Sequence, residues 1–386
     1  MDFQRDAQEE PLREQLAAWK QRNPESAEPN QDDLERAACR LARQLGAAGF
    51  LAHAIPKEYG GARATVQARD LCVIREELAS YSALADVMFG VQALGSQPIV
   101  IAGTDAQKKK YLPALATGEQ LAAFALTEPE AGSDAAAIGT RATQVNGGYR
   151  LNGGKRFISN AGIAHCYVVF ASTEPDAKAK GISAFIVSAD AAGFTVKEKT
   201  RLLSPHPIGV LSFDDCFVPR HQLLGGEGEG LKIAFRTLDT LRCTVGAAAL
   251  GFARRALAEA ISYSRSRRQF GRAIAEFQGI RFKLAEMAAD LEAARLLVDQ
   301  AAWSHDVQRP ELSLQSSIAK LFATEAAQRI VDQALQIHGG IGVVAGHIME
   351  RLYRDVRALR IYEGSSEIQK LVIAKSLLDK EHRHGF

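Results

Sequence analysis

Apolar residues recur at helical spacing near both ends of the chain and follow strand-like patterns in its middle. Leu12, Leu16 and Trp19 fall on one face of an early helix because they are three or four residues apart. Residues 167–170 and 182–187 are short runs rich in β-branched and aromatic side chains, which is typical of strands. The helical spacing then returns at Leu250, Ala253, Leu257 and Ile261, and at Leu284, Met287, Leu291 and Val298.

This order of patterns predicts three domains in an α+β protein. An N-terminal α-helical domain covers residues 1–120, a middle β domain covers 121–224, and a C-terminal α-helical domain covers 225–386. Asn146-Gly147 and Asn152-Gly153 are candidate turns of the β domain. Strands and helices do not alternate along the chain, which argues against a doubly wound parallel sheet.

Composition narrows the classes of function. The formal net charge of +2 provides no general basic surface, so we expect no nucleic-acid partner. No run approaches the ~20 apolar residues of a membrane span, and residues 1–6 lack a targeting signal, so we expect a cytoplasmic protein without a membrane partner. The five cysteines lack the spacing of a metal site or a disulfide framework, which predicts reduced thiols and no metal.

Two polar segments that contain glycine indicate the chemistry. Residues 124–134 read Phe-Ala-Leu-Thr-Glu-Pro-Glu-Ala-Gly-Ser-Asp, and residues 361–370 read Ile-Tyr-Glu-Gly-Ser-Ser-Glu-Ile-Gln-Lys. In order and spacing they match signatures of the acyl-CoA dehydrogenase flavoprotein family, which nearly the whole chain resembles. The resemblance implies a β-barrel-like middle domain and a four-helix bundle in the C-terminal domain.

The resemblance also implies FAD as the cofactor, bound between the β domain and the C-terminal helices. A dinucleotide fingerprint would place glycines between a strand and a helix, whereas Gly339, Gly340 and Gly342 follow a helical run. The residues that match the family's contacts in the β domain are Phe124, Leu126 and Thr127 at the isoalloxazine edge, Gly132 and Ser133 near the pyrophosphate, and Phe157, Ile158 and Ser159 on the ring.

Further matching contacts would come from a neighbouring subunit, so the resemblance implies a homo-oligomer, expected to be a tetramer. Taken alone, Arg267 would be a surface charge, but its planar fork also suits a pyrophosphate. The matching residues are Arg267, Phe270, Gln278, Gln336, Ile337, His338, Gly339 and Gly340, and Ser365, Ser366 and Glu367 complete the cofactor set.

Glu363 is the candidate catalytic base. Removing a proton next to a thioester carbonyl requires a base held over that carbon, and Gly364 permits a sharp turn and a close approach of substrate. A free glutamate has a pKa of ~4.3, so burial would have to raise its proton affinity. Some family members carry the base at the position of Leu241, which offers no carboxylate here. The resemblance assigns Ser133, Asp239, Arg242 and Gly364 to substrate binding.

The chain departs from the common family pattern in three places. Phe157 stands where the family usually has tryptophan, which keeps the stacking face but removes the indole donor. His206, between two prolines, either touches the acyl group or faces solvent. Met88, Phe89 and Gln92 lie where the family closes the acyl pocket, which favours a short, branched, cyclic or functionalised chain.

The expected activity is FAD-dependent α,β-dehydrogenation of an acyl thioester, with electrons passed to an electron-transfer flavoprotein. The thioester could belong to CoA or to an acyl-carrier protein, because both share the phosphopantetheine arm. Two other classes stay open: a flavin oxidase or monooxygenase on this fold, and a non-enzymatic binding or assembly protein. Bleaching of the flavin by a thioester without oxygen, followed by slow reoxidation in air, would separate the dehydrogenase from the first class, and absence of bound FAD would support the second.

Overall fold

The computed structural model describes residues 9–23 and 33–379, so the N-terminal stretch 1–6 considered above lies outside the described residues. The described chain forms two compact units. The first, the helical unit, contains residues 9–23, 68–86 and 239–379, and the second, the sheet unit, contains residues 33–67 and 87–238. The predicted order of helical, β and helical parts is confirmed.

The helices are α1 (Glu10–Arg22), α2 (Leu34–Ala47), α3 (Ala68–Ala79), α4 (Ala83–Ala102), α5 (Asp105–Ala116), α6 (Gly230–Ser266), α7 (Gln278–Asp306), α8 (Leu312–His338), α9 (Ile348–Arg357) and α10 (Ser366–Leu378). The strands are β1 (Ala122–Ala125), β2 (Arg141–Val145), β3 (Gly148–Ser159), β4 (Cys166–Ser172), β5 (Ile182–Ser188), β6 (Phe194–Lys199), β7 (Ile208–Pro219), β8 (Leu223–Leu224), β9 (Arg268–Gln269) and β10 (Arg272–Ala273).

The described part of the helical unit contains an apolar core. Buried residues of α3, α6, α7, α8 and α9 form it, and the predicted faces of α6 and α7 point into it through Leu250 and Val298. Leu12, Leu16 and Trp19 are buried on α1, as their spacing predicted. Cys72 and Cys243 lie within the same core as free thiols. Long helices of this kind gain most of their stability from such packed apolar faces.

The sheet unit is built around one sheet, whose strand order is β6-β7-β3-β2-β4-β5-β8 with β1 paired in parallel to β4. Successive side chains of β4 enter two different cores, because neighbouring residues of a strand point to opposite faces. Val168 and Phe170 join the core that includes residues of α5, whereas Tyr167 and Val169 join one lined by β3 and β7. Burial on both faces explains why residues 167–170 are continuously apolar.

The two predicted turns have different outcomes. Asn146 and Gly147 connect β2 to β3 in a tight hairpin, with Val145 paired to Gly148, as predicted. The prediction of a second turn at Asn152 and Gly153 is wrong, since both residues lie inside β3. The pairing of β3 with β7 shifts register there, and Gly153 has a φ of +139°. The glycine therefore serves a β-bulge.

Helix α4 corrects the expectation that no segment is long and apolar enough to span a membrane. By length and composition it could do so. However, 72% of its most apolar 18-residue window is buried inside the protein, as expected of a core helix. Among the described residues, no group of three or more His, Cys, Asp or Glu side chains is placed to hold a metal ion.

Candidate active site

Glu363 lies in a strained turn of the helical unit, between the 3-10 turn Ala358–Arg360 and the start of α10. Its φ is +54° and that of Gly364 is +92°, so two consecutive residues occupy the left-handed region. Non-glycine residues rarely adopt this conformation, and such strain is concentrated at functional sites. A Cβ at position 364 would lie 2.6 Å from Nε2 of Gln369, so a larger residue would displace the Gln369 amide.

Three side chains hold this turn through its carbonyl oxygens. The Gln369 amide donates to the carbonyl of Glu363 at 3.2 Å and to that of Gly364 at 3.0 Å. The Lys320 ammonium donates to the Gly364 carbonyl at 2.7 Å, and Nε of Arg242 lies 3.5 Å from the Glu363 carbonyl. Ser365 caps α10 by accepting from the backbone N–H of Ile368. These contacts fix the backbone of the turn and do not involve the carboxyl group of Glu363.

The carboxyl group of Glu363 is the reactive feature of the turn. Its Oε2 atom is buried and has no hydrogen-bond partner among the described residues. Burial raises the pKa of Glu363, and the positive charges of Arg75, Lys320 and Arg242 oppose this increase. A carboxyl group with a raised pKa and an oxygen without a hydrogen-bond partner suits a general base, because proton transfer is most efficient when the pKa of the base lies near the operating pH.

Buried ion pairs surround the turn. Arg75 of α3 donates from Nε and Nη2 to the two carboxylate oxygens of Asp86, at 2.8 and 2.9 Å. Its Nη1 donates to the Thr244 hydroxyl at 3.2 Å. Arg242 of α6 donates to Asp239 at 2.7 Å. The Arg75 guanidinium contacts both oxygens of its carboxylate, which fixes the geometry of this pair, whereas Arg242 contacts one oxygen of Asp239.

The positions assigned to substrate on α6 have mixed surroundings. Asp239 also accepts from the Ser313 hydroxyl at 3.2 Å, and the Arg242 side chain is 6% exposed. Arg242 is therefore directed to Asp239 and to the turn of Glu363 in this structure. Leu241 is 2% exposed. The alternative base position is thus occupied by a buried apolar side chain.

In the sheet unit, the segment after β1 is fixed against β3. The Thr127 carbonyl accepts from the Arg156 backbone N–H at 2.9 Å. The buried Lys155 ammonium donates to the Leu126 carbonyl at 3.1 Å and to Glu128 at 2.7 Å. Glu128 also accepts from the backbone N–H groups of residues 139 and 140, at 2.5 and 3.1 Å. Residues 126–127, assigned to the flavin, are therefore fixed beside residues 155–156, which directly precede the assigned stretch 157–159.

The surfaces of these stretches fit a flavin. Phe157 has a φ of +56° and is 48% exposed, so an aromatic ring is presented to the surroundings. Gly132 and Ser133 are exposed, and a Cβ at Gly132 would meet no atom within 4 Å, which leaves the backbone accessible. Ile158 points into the core, so its contribution would be through the backbone. Phe124 is half-buried and lies against Phe170.

His206 lies beside Ser159, whereas the sequence analysis placed it either against the acyl group or in solvent. Nε2 of His206 lies 3.1 Å from the Ser159 hydroxyl. Burial lowers the pKa of His206 to about 4, and a hydrogen bond with the Ser204 backbone opposes the decrease. The imidazole is therefore neutral near neutral pH.

Gln92, which the resemblance places at the floor of the acyl pocket, forms hydrogen bonds with the backbone of residues 115, 120 and 122, so its amide is fully engaged.

Some of the cofactor residues assigned to the helical unit lie at its surface, and others are buried. Phe270 and Gly271 form the turn of the β9–β10 hairpin, with φ values of +50° and +80°, and Phe270 is 93% exposed. The exposed members are Arg267, Phe270, Gln278, Gln336, Gly339 and Gly340. The side chains of Ile337 and His338 are buried, and His338 stacks on Tyr263 at 4.4 Å.

The predicted cofactor residues at the start of α10 are also divided. The Ser366 hydroxyl donates to Glu325 at 2.5 Å, and Ser366 is buried. Ser365 is occupied as the cap, and Glu367 is exposed. Ser366 therefore makes its hydrogen bond within the helical unit, whereas Glu367 is accessible to solvent.

Sequence reasoning did not identify Lys320, Arg75, Lys155 or Glu128, although all four are buried beside predicted site residues. The available signal was a charged residue flanked by apolar residues within a helical segment, as at Lys320 between Ala319 and Leu321. A buried charge usually has a partner or a function. The partners of these residues are distant in sequence, and spacing alone does not reveal them.

Profiles of protein families cover almost the whole chain. Those described as acyl-CoA dehydrogenase N-terminal, middle and C-terminal domains match residues 6–119, 123–216 and 228–378. The fold and the site define a protein of the flavin-dependent oxidoreductase class. More particularly, the chain belongs to the acyl-CoA dehydrogenase family, as its motifs indicated.

Relatives with high identity have both dehydrogenase and reductase names. An "Acyl-CoA dehydrogenase" of Bacillus subtilis is 45% identical over 341 residues, covering 88% of this chain and 89% of that protein. A "3-(aryl)acrylate reductase" of Clostridium sporogenes is 42% identical over 357 residues, covering 91% and 94%. The "Caffeyl-CoA reductase-Etf complex subunit CarC" of Acetobacterium woodii is 39% identical over 340 residues, covering 86% and 88%.

Solved structures support the same family and its cofactor. Butyryl-CoA dehydrogenase from Megasphaera elsdenii superposes with a TM-score of 0.92 at 36% identity, covering 98% of this chain and 100% of that chain. An acyl-CoA dehydrogenase complexed with FAD, from Bacillus anthracis, gives 0.90 at 33% identity, covering 100% and 69%. The prediction of FAD as cofactor is thus confirmed at the level of the family.

Proposed function

We propose that this protein is an FAD-dependent acyl-CoA dehydrogenase in which Glu363 exchanges the α-proton of an acyl thioester. The observation that carries the proposal is the free, buried Oε2 of Glu363 in a left-handed turn, with a pKa raised by burial. A group of this kind has a proton affinity suited to a base and no internal partner that competes for the proton. Leu241 leaves Glu363 as the carboxylate that fits the family's scheme.

Other residues of this chain would bind and orient. When bound, FAD supplies a hydride acceptor at its flavin ring and carries the electrons away. Phe157 would pack on the ring, and the backbone of residues 124–127 and the Ser159 hydroxyl would meet its polar edge. Arg267 would neutralise the pyrophosphate. The Gln369 amide and the Lys320 ammonium hold the backbone of the turn, which keeps Glu363 in place while the proton moves.

The physiological direction defines a second candidate function. Relatives 39–42% identical to this chain are named as reductases, one of them within an Etf complex. In that direction the protonated Glu363 would deliver its proton to the α-carbon of an enoyl thioester, since the same groups serve both directions of one reaction. In either direction we propose CoA as the thioester carrier and an electron-transfer flavoprotein as the redox partner.

The test compares wild type with Glu363→Gln under anaerobic conditions. A panel of acyl-CoA thioesters is mixed with the FAD-bound protein, and the visible absorbance of the flavin is followed. We expect wild type to bleach, and Glu363→Gln to retain FAD but bleach at least ~10²-fold more slowly, because an amide cannot accept the proton. Enoyl and arylacryloyl thioesters added to prereduced protein test the reverse direction.

Glu292→Gln provides the matched control, because Glu292 is an exposed residue of α7 paired with Arg295. It should bleach like wild type. Equal bleaching of wild type and Glu363→Gln would exclude Glu363 as the base. Rapid reoxidation of the reduced flavin by air would favour an oxidase, and a protein without bound FAD would favour a binding function.

A further inference from the structure

We propose that Lys320 is a positioning residue whose buried ammonium acts as the counter-charge of Glu363 and holds its turn through the Gly364 carbonyl. This inference deepens the proposed function and rests on Glu363 being the base. It assigns to one buried lysine two effects on that base. The first is mechanical, through the hydrogen bond to the turn, and the second is electrostatic, through a charge that favours the ionised carboxylate.

The burial of Lys320 requires compensation. Its side chain projects from α8 and is 0% exposed, and removing an ammonium from water costs several kcal/mol unless partners replace the solvent. An ammonium has three donors. One donates to the Gly364 carbonyl at 2.7 Å, and within the described part of the chain Lys320 forms no salt bridge closer than 4.0 Å. The positive charge is therefore balanced at longer range.

The charges around the turn show which group balances it. Arg75 is matched by Asp86, which it contacts with two nitrogens, and Arg242 is matched by Asp239 at 2.7 Å. Each of these pairs is neutral as a unit. Among the described residues beside the turn, this leaves Lys320 as a buried cation and Glu363, whose Oε2 atom is buried, as the anion that balances it.

More distant groups on the neighbouring elements do not change this assignment. Glu325 of α8 is paired with Arg360 at 2.8 Å, and Glu367 of α10 is exposed to solvent. Burial raises the pKa of Tyr362, so it is uncharged near neutral pH. The charged and titratable groups that face the base from α3, α4, α6, α8 and the turn are thus Arg75, Asp86, Arg242, Lys320 and Tyr362.

The pKa shifts of both groups agree with the pairing. Burial lowers the pKa of Lys320 to about 8, and the charge of Glu363 is the largest influence that opposes this decrease. Burial raises the pKa of Glu363, and Lys320 is among the cations that oppose it. Each charge therefore stabilises the other. Loss of the ammonium should raise the pKa of Glu363 further and leave less of it ionised at a given pH.

Lys155 shows that a buried lysine in this chain can be neutralised differently. It is also 0% exposed, but its ammonium donates directly to the carboxylate of Glu128 at 2.7 Å. Lys320 instead donates to a carbonyl oxygen, which carries no formal charge. Unlike Lys155, Lys320 is therefore not neutralised by a carboxylate in direct contact. Its positive charge acts instead on the turn that carries the base.

The experiment separates the charge of Lys320 from its hydrogen bond. Lys320→Gln keeps a donor without charge, Lys320→Met removes both, and Lys320→Arg keeps the charge. The rate of flavin reduction by a saturating thioester is measured against pH in each FAD-bound variant. We expect the acid limb to move upward by about one pH unit or more in the Gln and Met variants, equivalent to a tenfold loss at low pH. In Lys320→Arg it should stay near the wild-type position.

A second readout does not depend on turnover. The infrared band of the protonated carboxyl, identified by its loss in Glu363→Gln, reports the ionisation of Glu363 directly. This titration should shift upward in the Gln and Met variants as well. Lys283→Met is the matched control, because Lys283 is a half-buried lysine of α7 that donates to Gln333, and it should leave both titrations unchanged.

The outcomes distinguish this inference from the proposed function. A wild-type protein that no thioester reduces would contradict the function, while the infrared titration would still test Lys320. An unchanged Glu363 titration in Lys320→Gln would overturn the inference even if catalysis is confirmed. The same shift in Lys320→Arg as in Lys320→Gln would also overturn it, since retained charge should preserve the wild-type value. If Lys320→Met does not fold, the Gln and Arg variants decide.

Discussion

At the scale of single residues, His206 illustrates how burial selects a protonation state. Its imidazole lies between the Ser204 backbone and the Ser159 hydroxyl, and its pKa is lowered to about 4. In an unfolded chain the histidine would titrate near its ordinary value of 6.5. Between these two values the unfolded state binds more protons than the folded state, so stability rises with pH and is lost on acidification.

We therefore expect His206→Gln to reduce the loss of stability between pH 6.5 and pH 4, because glutamine retains a polar contact but does not titrate. Urea unfolding midpoints of wild type and variant at these two pH values measure the effect. His221→Gln, at an exposed histidine, is the control. A wild-type pH dependence in His206→Gln would show that the folded protein accommodates the imidazolium without cost.

At the scale of elements, the β9–β10 hairpin carries a prediction about the cofactor. Arg267 stands directly before β9 and is exposed, as a group that reaches a ligand must be. If it holds the FAD pyrophosphate, Arg267→Ala should weaken FAD binding by ~1.5–3 kcal/mol, the usual range for a charged hydrogen bond. Recovery of FAD fluorescence on dilution measures the dissociation constant. Arg268→Ala, one residue along the same hairpin, provides the comparison.

An equal effect of both arginine substitutions would indicate general attraction of the pyrophosphate to a basic hairpin, without a specific contact by Arg267. Unchanged affinity in both would remove the hairpin from the FAD site. The contact between Arg267 and the FAD pyrophosphate stays a prediction, as do the other cofactor contacts assigned through the resemblance.

Local signals in the sequence predicted the elements better than they predicted the site. Apolar runs located β4 and β5, and Asn146-Gly147 located a hairpin, because these signals depend on neighbouring residues. Asn152-Gly153 has the same composition but forms a bulge, since β7 continues the pairing on both sides. Glu363 was recognisable from its motif. Arg75 and Lys320 were not, because their partners lie 11 and 44 residues away.

At the scale of the whole molecule, the helical unit presents large apolar side chains at its surface. Phe270, Phe282, Val343, Leu371 and Leu378 are each exposed by more than half of their area. Leu371 and Leu378 are seven residues apart on α10 and therefore share one face, and exposed apolar patches are typical of interfaces with another protein chain. They support the expectation of a homo-oligomer, with a tetramer as the predicted state.

We expect light scattering to give the mass of several chains, and Leu371→Glu to shift the distribution toward smaller species, because a charge would be buried in the interface. The FAD content of the separated species is measured in parallel. Exposed Glu292→Gln should retain the wild-type mass. A monomeric wild-type protein with full FAD occupancy would contradict both the oligomer and the shared cofactor site.

The turn that carries Glu363 has a consequence for the order in which the protein becomes active. Its neighbours Arg75, Arg242, Lys320 and Gln369 come from segments spread across almost 300 positions of the chain. A short piece of the polypeptide supplies only the Gln369 contacts of this left-handed pair, since Lys320 and Arg242 lie 44 and 121 residues away from the carbonyls that they contact. During synthesis the nascent chain therefore carries a glutamate but no base until α10 has docked. Exchange of the Ile361 and Tyr362 amides, whose N–H groups donate to the Ala358 carbonyl, should consequently report formation of this turn in the helical unit.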